Sequence, residues 1–256
     1  MSNAVMPLSD YVDVCDKIRK KTNSTDKIKS GDLAAKVDEV YEAGKASGGS
    51  EDYLQYAKTV QFNSLNDFGK AEVELNLGKC TDLYLFCRVT TATQQNTTVE
   101  HLTINNAIPV DMRNFLDNVI YTHRDFTLKR LTLNFDTSKV KCFERALNSL
   151  SALETIDGKP LDFSGIDTTK AYATQNLFSY CNALKEVRFV NNSIPMSVSF
   201  SSSNLLSAES IQSIIDGLAD LTGGTAQTLT LHATVGAKLT DTQKATITAK
   251  NWKLVY

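Results

Sequence analysis

Between Leu177 and Phe189 the apolar spacing shortens from three residues to two. Phe178, Cys181 and Leu184 recur at every third position, then Val187 and Phe189 alternate with charged residues. A step of three predicts a tight coil and a step of two a short strand, both turning their apolar side chains toward one core. A unit this small cannot bury its apolar side alone, so it predicts stacked neighbours at a fixed period. Similar strand cores stand at residues 101–105, 130–135, 153–157 and 228–232. Counted on Leu102, Leu131, Leu153, Leu184 and Leu229, the steps are 29, 22, 31 and 45 residues, so the last interval must hold an additional element.

Other patterns fill in the remainder. Tyr11, Val14, Cys15 and Ile18 fall at i, i+3, i+4 and i+7, and Leu33, Val37, Val40 and Tyr41 repeat the helical spacing behind Ser30 as an N-cap. Residues 1–46 therefore predict a helical hairpin for attachment or oligomerisation, with Tyr11, Val14, Ile18, Leu33, Val37, Val40 and Tyr41 as its assembly face. Residues 47–50 form a Gly/Ser linker. Alternation at Val73, Leu75 and Leu77, and again at Leu83, Leu85 and Cys87, predicts two strands in a β-rich cap or divergent first repeat over 51–98. A leucine-rich-repeat body over 99–205 follows, with amphipathic helices at 109–121 and 138–150 and exposed loops at 90–98 and 197–203. A capping module over 206–256 has a helix starting at Ser207, a second starting at Thr240, and a closing strand at Trp252, Leu254 and Tyr256. The fold class expected is α+β: a helical hairpin, then an irregular solenoid with capping elements.

Composition removes several functions. A formal net charge of -2 leaves no basic stripe for nucleic acid, and the first 45 residues balance eight acidic side chains against eight basic ones from Asp10 onward. No stretch approaches the ~20 apolar residues of a membrane span, and the acidic start lacks a secretory signal's basic and apolar regions. Cys15, Cys80, Cys87, Cys142 and Cys181 are scattered, without zinc-site spacing, so they read as buried thiols. His101, His123 and His232 stand near no nucleophile motif, and no Gly-rich phosphate loop is present. The expectation is a non-enzyme with no catalytic residue, cofactor or metal, no nucleic-acid partner and no membrane insertion.

Two resemblances sharpen this. Phe178, Cys181, Leu184, Val187 and Phe189 resemble the repeat core of BspA-type leucine-rich repeats, and 206–256 looks like the module that follows such repeats in phage and prophage proteins. The wording Val14-Cys15-Asp16-Lys17-Ile18-Arg19-Lys20-Lys21-Thr22 and Ser30-Gly31-Asp32-Leu33-Ala34 resembles the N-terminal module of phage and prophage tail-region proteins. These resemblances imply a bacteriophage virion structural protein of the tail fibre, baseplate or other host-contact apparatus, made in the host bacterial cytoplasm. They imply other virion proteins as partners, a homo-oligomer with a trimer as the fibre-like choice, and a host cell-surface glycan or protein as candidate receptor. The alternatives are a head fibre or capsid decoration protein, a bacterial leucine-rich-repeat surface adhesin, and a glycan-cleaving enzyme.

Overall fold

The computed structural model describes residues 58–62, 64–78, 80–87, 89, 96–117 and 127–256. The chain winds in successive coils, and each coil returns one strand beside the last. Strands β1 (Glu72–Asn76), β2 (His101–Asn105), β3 (Arg130–Asn134) and β4 (Thr155–Gly158) form a parallel sheet in sequence order. Val73, Leu102, Leu131 and Ile156 stand in register, which sets the repeat at 29, 29 and 25 residues. The equivalent of Leu131 in the next coil is thus Ile156 and not Leu153. A second parallel sheet joins β5 (Val198–Phe200), β6 (Gln227–Leu231) and β7 (Trp252–Val255). The helices are α1 (Ala208–Gly217), α2 (Ala233–Gly236) and α3 (Asp241–Ala249), all in the last third of the chain.

The α+β expectation, a helical hairpin followed by an irregular BspA-type leucine-rich-repeat solenoid, is overturned. The described residues build two small parallel sheets with three short α-helices, and the hairpin predicted over 1–46 lies outside them. The helices expected at 109–121 and 138–150 are not helical in their described residues: these form turns. Met112, Phe115 and Leu116 are buried as a helical stripe would have them, yet Asn114 has φ of 52°, which ends any α-helix there. Likewise Val187 and Phe189 are not in a strand: Phe189 forms an isolated bridge with Leu161, and Glu186, next to Val187, forms another with Thr155. The loop expected at 197–203 contains β5, with Val198 and Phe200 buried.

A second ladder of backbone hydrogen bonds replaces the expected helices. The N–H groups of Leu83, Leu85, Cys87 and Val89 donate to the carbonyls of Asp111, Arg113, Phe115 and Asp117 at 2.8–3.1 Å. Met112, Asn114 and Leu116 donate in turn to Cys142, Glu144 and Ala146, and Phe143, Arg145, Leu147 and Ser149 donate to Ala173, Gln175, Leu177 and Ser179. Leu85, Asn114 and Arg145 all have positive φ, near 55°. Such a conformation is uncommon outside glycine, and it directs each of these N–H groups at the next coil, where the bond offsets the steric cost. Periodicity of side chains cannot distinguish this turn stack from a helix, since both bury residues three or four apart.

The core runs the length of both sheets. Leu75, Leu102, Ile104, Leu131, Phe178 and Phe200 are all essentially inaccessible. Phe178 stacks on Phe200, with centroids 4.6 Å apart and planes at 19°, and meets Phe189 edge-on at 6.5 Å. Gly158 at φ of 85° ends β4, where a Cβ would stand 2.5 Å from the Leu133 carbonyl oxygen. No side chain fits that approach.

Where the first sheet ends, α1 covers the exposed backbone. The Val187 N–H donates to Ser210 Oγ and the Phe189 N–H to Ser213 Oγ, each at 2.9 Å, so two hydroxyls act in place of the carbonyls of a further strand. Ser207 caps the same helix by accepting from the Ser210 N–H. At its other end Lys250 Nζ donates to the carbonyls of Ile215, Asp216 and Leu218, satisfying groups that a helix leaves open. Substituting Ser210→Ala leaves the Val187 N–H buried without an acceptor. The expected loss is about 1–3 kcal/mol of unfolding free energy, read from the urea midpoint at unchanged slope. A loss within error of zero means that the edge is covered by some other acceptor.

Candidate binding face

The outward side chains of β1 to β4 form a polar face. Their inward partners, Val73, Leu75, Leu102, Ile104, Leu131, Leu133 and Ile156, fix which residues point out, because strand side chains alternate. Register then arranges the outward residues in rows across the strands. Glu72, His101, Arg130 and Thr155 make one row; Glu74, Thr103, Thr132 and Asp157 make the next; Asn76, Asn105 and Asn134 make a third. Just before the strands, Glu100, Lys129, Glu154 and Lys185 follow one another on successive coils with alternating charge. Lys129 pairs with Glu100 and Lys185 with Glu154, each at 2.7 Å.

The rows are cross-linked. Asn105 Nδ2 donates to Glu74 Oε1 at 2.7 Å, and Asn134 Nδ2 to Asn105 Oδ1 at 2.8 Å. Arg130 pairs with Asp157 through Nε at 2.8 Å and through Nη2, and Thr132 Oγ1 also donates to the same carboxylate. His101 Nε2 lies 2.9 Å from Thr132 Oγ1 and 3.2 Å from Thr103 Oγ1. Since the Thr132 hydroxyl gives its proton to Asp157, its oxygen faces His101 as an acceptor. That places the imidazole proton on Nε2 and leaves Nδ1 as the acceptor.

Partial burial pushes the Asp157 carboxyl up, but the hydrogen bonds from Thr132 and Arg130 and the charge of Arg130 outweigh it, holding the group below the usual carboxylate range. The unfolded chain therefore takes up the proton first on acidification. This contribution to stability is present above an unfolded pKa near ~4 and is lost as pH falls through the lower native value. The Asp157→Asn variant is expected to show a shallower fall in melting temperature between neutral and acid pH than the parent protein. Superimposable acid limbs would show that the carboxylate is not stabilised in this way.

The assembly face proposed from sequence, Tyr11, Val14, Ile18, Leu33, Val37, Val40 and Tyr41, lies outside the described residues, as do Cys15 and His123. Phe178, Cys181, Leu184, Val187 and Phe189 share the core, each no more than 4% exposed. Burial raises the Cys181 thiol to about 12 and Cys80 to about 11, so both are inert at neutral pH. Comparison with family models, curated proteins and solved structures finds no match to this chain. Among the described residues no group of three or more His, Cys, Asp or Glu is placed to hold a metal ion, and no helix is long and apolar enough to cross a membrane.

Sequence reasoning located His101 on a strand but missed the network around it. A signal was present: Val73-Glu74-Leu75-Asn76, Leu102-Thr103-Ile104-Asn105 and Leu131-Thr132-Leu133-Asn134 each end an alternating core with asparagine. Aligning them gives the rows directly. The fourth row member, Asp157, needed the corrected register at Ile156.

Proposed function

We propose that this protein is a bacteriophage virion structural protein of the host-contact apparatus, in a tail fibre or baseplate. Its first 46 residues serve as the docking and assembly segment, and its coil stack serves as a spacer that presents a surface. The supporting observation is the cross-linked polar face. Charged and amide side chains on successive coils pair with one another, which fixes the stack as a rigid scaffold with a uniform outer surface. The resemblance of the N-terminal wording to tail-region modules supplies the setting. No catalytic turnover is part of this reading. The apolar residues Tyr11, Val14, Ile18, Leu33, Val37, Val40 and Tyr41 of that segment would close a cyclic homo-oligomer, a trimer by the fibre analogy.

Measurements on the particle and on the chain itself test it. Mass spectrometry of purified particles encoding the chain should detect it, and electron microscopy should place its coil stack in symmetric copies on the tail or baseplate. Location on the head would make it a head fibre or decoration protein. Absence from the particle, with export of the unfused chain, would replace the reading by a surface adhesin. Light scattering that reports a monomer for the full chain would remove the trimer.

A further inference from the structure

The pairs that fix the polar face leave one place where unused hydrogen-bonding groups converge. His101 Nε2 is held by Thr132 and Thr103, and among the described residues no group makes a hydrogen bond to its Nδ1. Its neighbours across the strands are Glu72, which is exposed, and Arg130, whose charge Asp157 balances. Thr103 accepts from the His101 N–H, so its own hydroxyl proton is free to be donated outward. Acceptors (Nδ1 and the Glu72 carboxylate) and a donor (the Thr103 hydroxyl) therefore share one part of the face: His101 and Thr103 stand two residues apart on β2, and Glu72 is opposite His101 on β1, one strand spacing of about 5 Å away. The arrangement is preorganised, since the imidazole tautomer is set by the relay through Thr132 to Asp157.

The surroundings narrow the ligand class. Lys129, Arg130 and Lys185 are each paired with a carboxylate and Arg188 donates to the Gly158 carbonyl, so the cations of the rows beside His101 are engaged within the face. The outward residues of these strands are Glu, His, Arg, Thr, Asn and Asp, with no apolar or aromatic side chain to hold a lipid or a hydrophobic peptide. A neutral ligand rich in hydroxyl groups satisfies mixed donors and acceptors without either feature. We propose that His101, Thr103 and Glu72 form a binding subsite for a neutral saccharide, in which His101 Nδ1 accepts a proton from a sugar hydroxyl and Thr132 and Asp157 act as positioning residues. This rests on the host-contact reading of the coil stack and assigns the chemistry of the contact.

The test is a titration of the full chain, labelled with nitrogen-15, with maltohexaose, chitohexaose and, as an anionic control, a hyaluronan hexasaccharide. A saturable shift of the His101 Nδ1 resonance with a neutral oligomer is expected, weakened at least tenfold by Glu72→Gln. Thr132→Val should weaken binding severalfold and move the free protein's imidazole toward the other tautomer, a change that a purely structural threonine would not produce. The proposal is overturned if neither neutral oligomer shifts His101 at millimolar concentration, if only hyaluronan does, or if Glu72→Gln leaves affinity unchanged. The outcome is independent of virion membership: a chain found in the particle whose His101 ignores both oligomers removes this inference and leaves the structural role standing.

Discussion

The Arg145→Met variant is expected to lose about 3 kcal/mol of unfolding free energy. Asp117 is completely buried, and its carboxylate accepts from Arg145 Nε at 3.1 Å, Arg145 Nη2 at 3.2 Å and Asn148 Nδ2 at 2.7 Å. Removing the guanidinium takes its charge and two hydrogen bonds away from an interior carboxylate, a change that typically costs ~3–5 kcal/mol. The lower end applies because the Arg145 side chain is itself 20% exposed. Adding Asp117→Asn to the same chain should recover part of the loss, because the buried negative charge is removed together with the guanidinium that paired with it. Chemical denaturation of both single variants and the double variant measures the coupling. Additive losses, or a loss below about 1 kcal/mol for Arg145→Met, would mean that the two coils are not joined through this pair.

The Phe178→Ala variant should cost about 3–5 kcal/mol, the range for removing a fully enclosed phenyl ring. Phe178 is 1% exposed and touches rings from two other segments, Phe189 and Phe200, so no single neighbour can move to fill the space. It joins the turn stack to β5, at the junction where one sheet gives way to the other. A fall in stability accompanied by a lower denaturant slope would show the second sheet loosening before the first; an unchanged slope would show the two failing together. A cost under 1 kcal/mol would contradict the packing described.

The strands and the C-terminal caps were legible because their signals are local. Leu102 and Ile104, Leu131 and Leu133, and Leu229 and Leu231 alternate with polar residues, and Ser207 and Thr240 precede α1 and α3 as N-caps. Residues 83–87 and 109–117 were misread for one shared reason. Their side-chain spacing suits a strand or a helix, but the backbone uses positive φ at Leu85 and Asn114, and only pairing with the next coil favours that conformation. That pairing spans about thirty residues, beyond any window used to detect periodicity. Spacing by leucine alone also chose Leu153 over Ile156, which displaced the register by three residues and hid Asp157 from the row it shares with Thr132. The relay at His101 is a product of register, so its parts could be named from sequence while their meeting could not.

The in-register winding also sets how the protein would respond to force. Tension applied between the two ends pulls each coil away from the next across its backbone hydrogen bonds, which then open one after another like a zipper. A 29-residue coil, once freed, extends by up to roughly 100 Å, so rupture would appear as a sawtooth of similar steps. At Val187 and Phe189 two bonds to the following coil come from serine hydroxyls of α1 in place of carbonyls, while backbone bonds continue on either side, from Ser207 to Lys185 and from Ile194 to Gly217. A stretched molecule is expected to yield first at this junction, where side-chain bonds interrupt the backbone ladder.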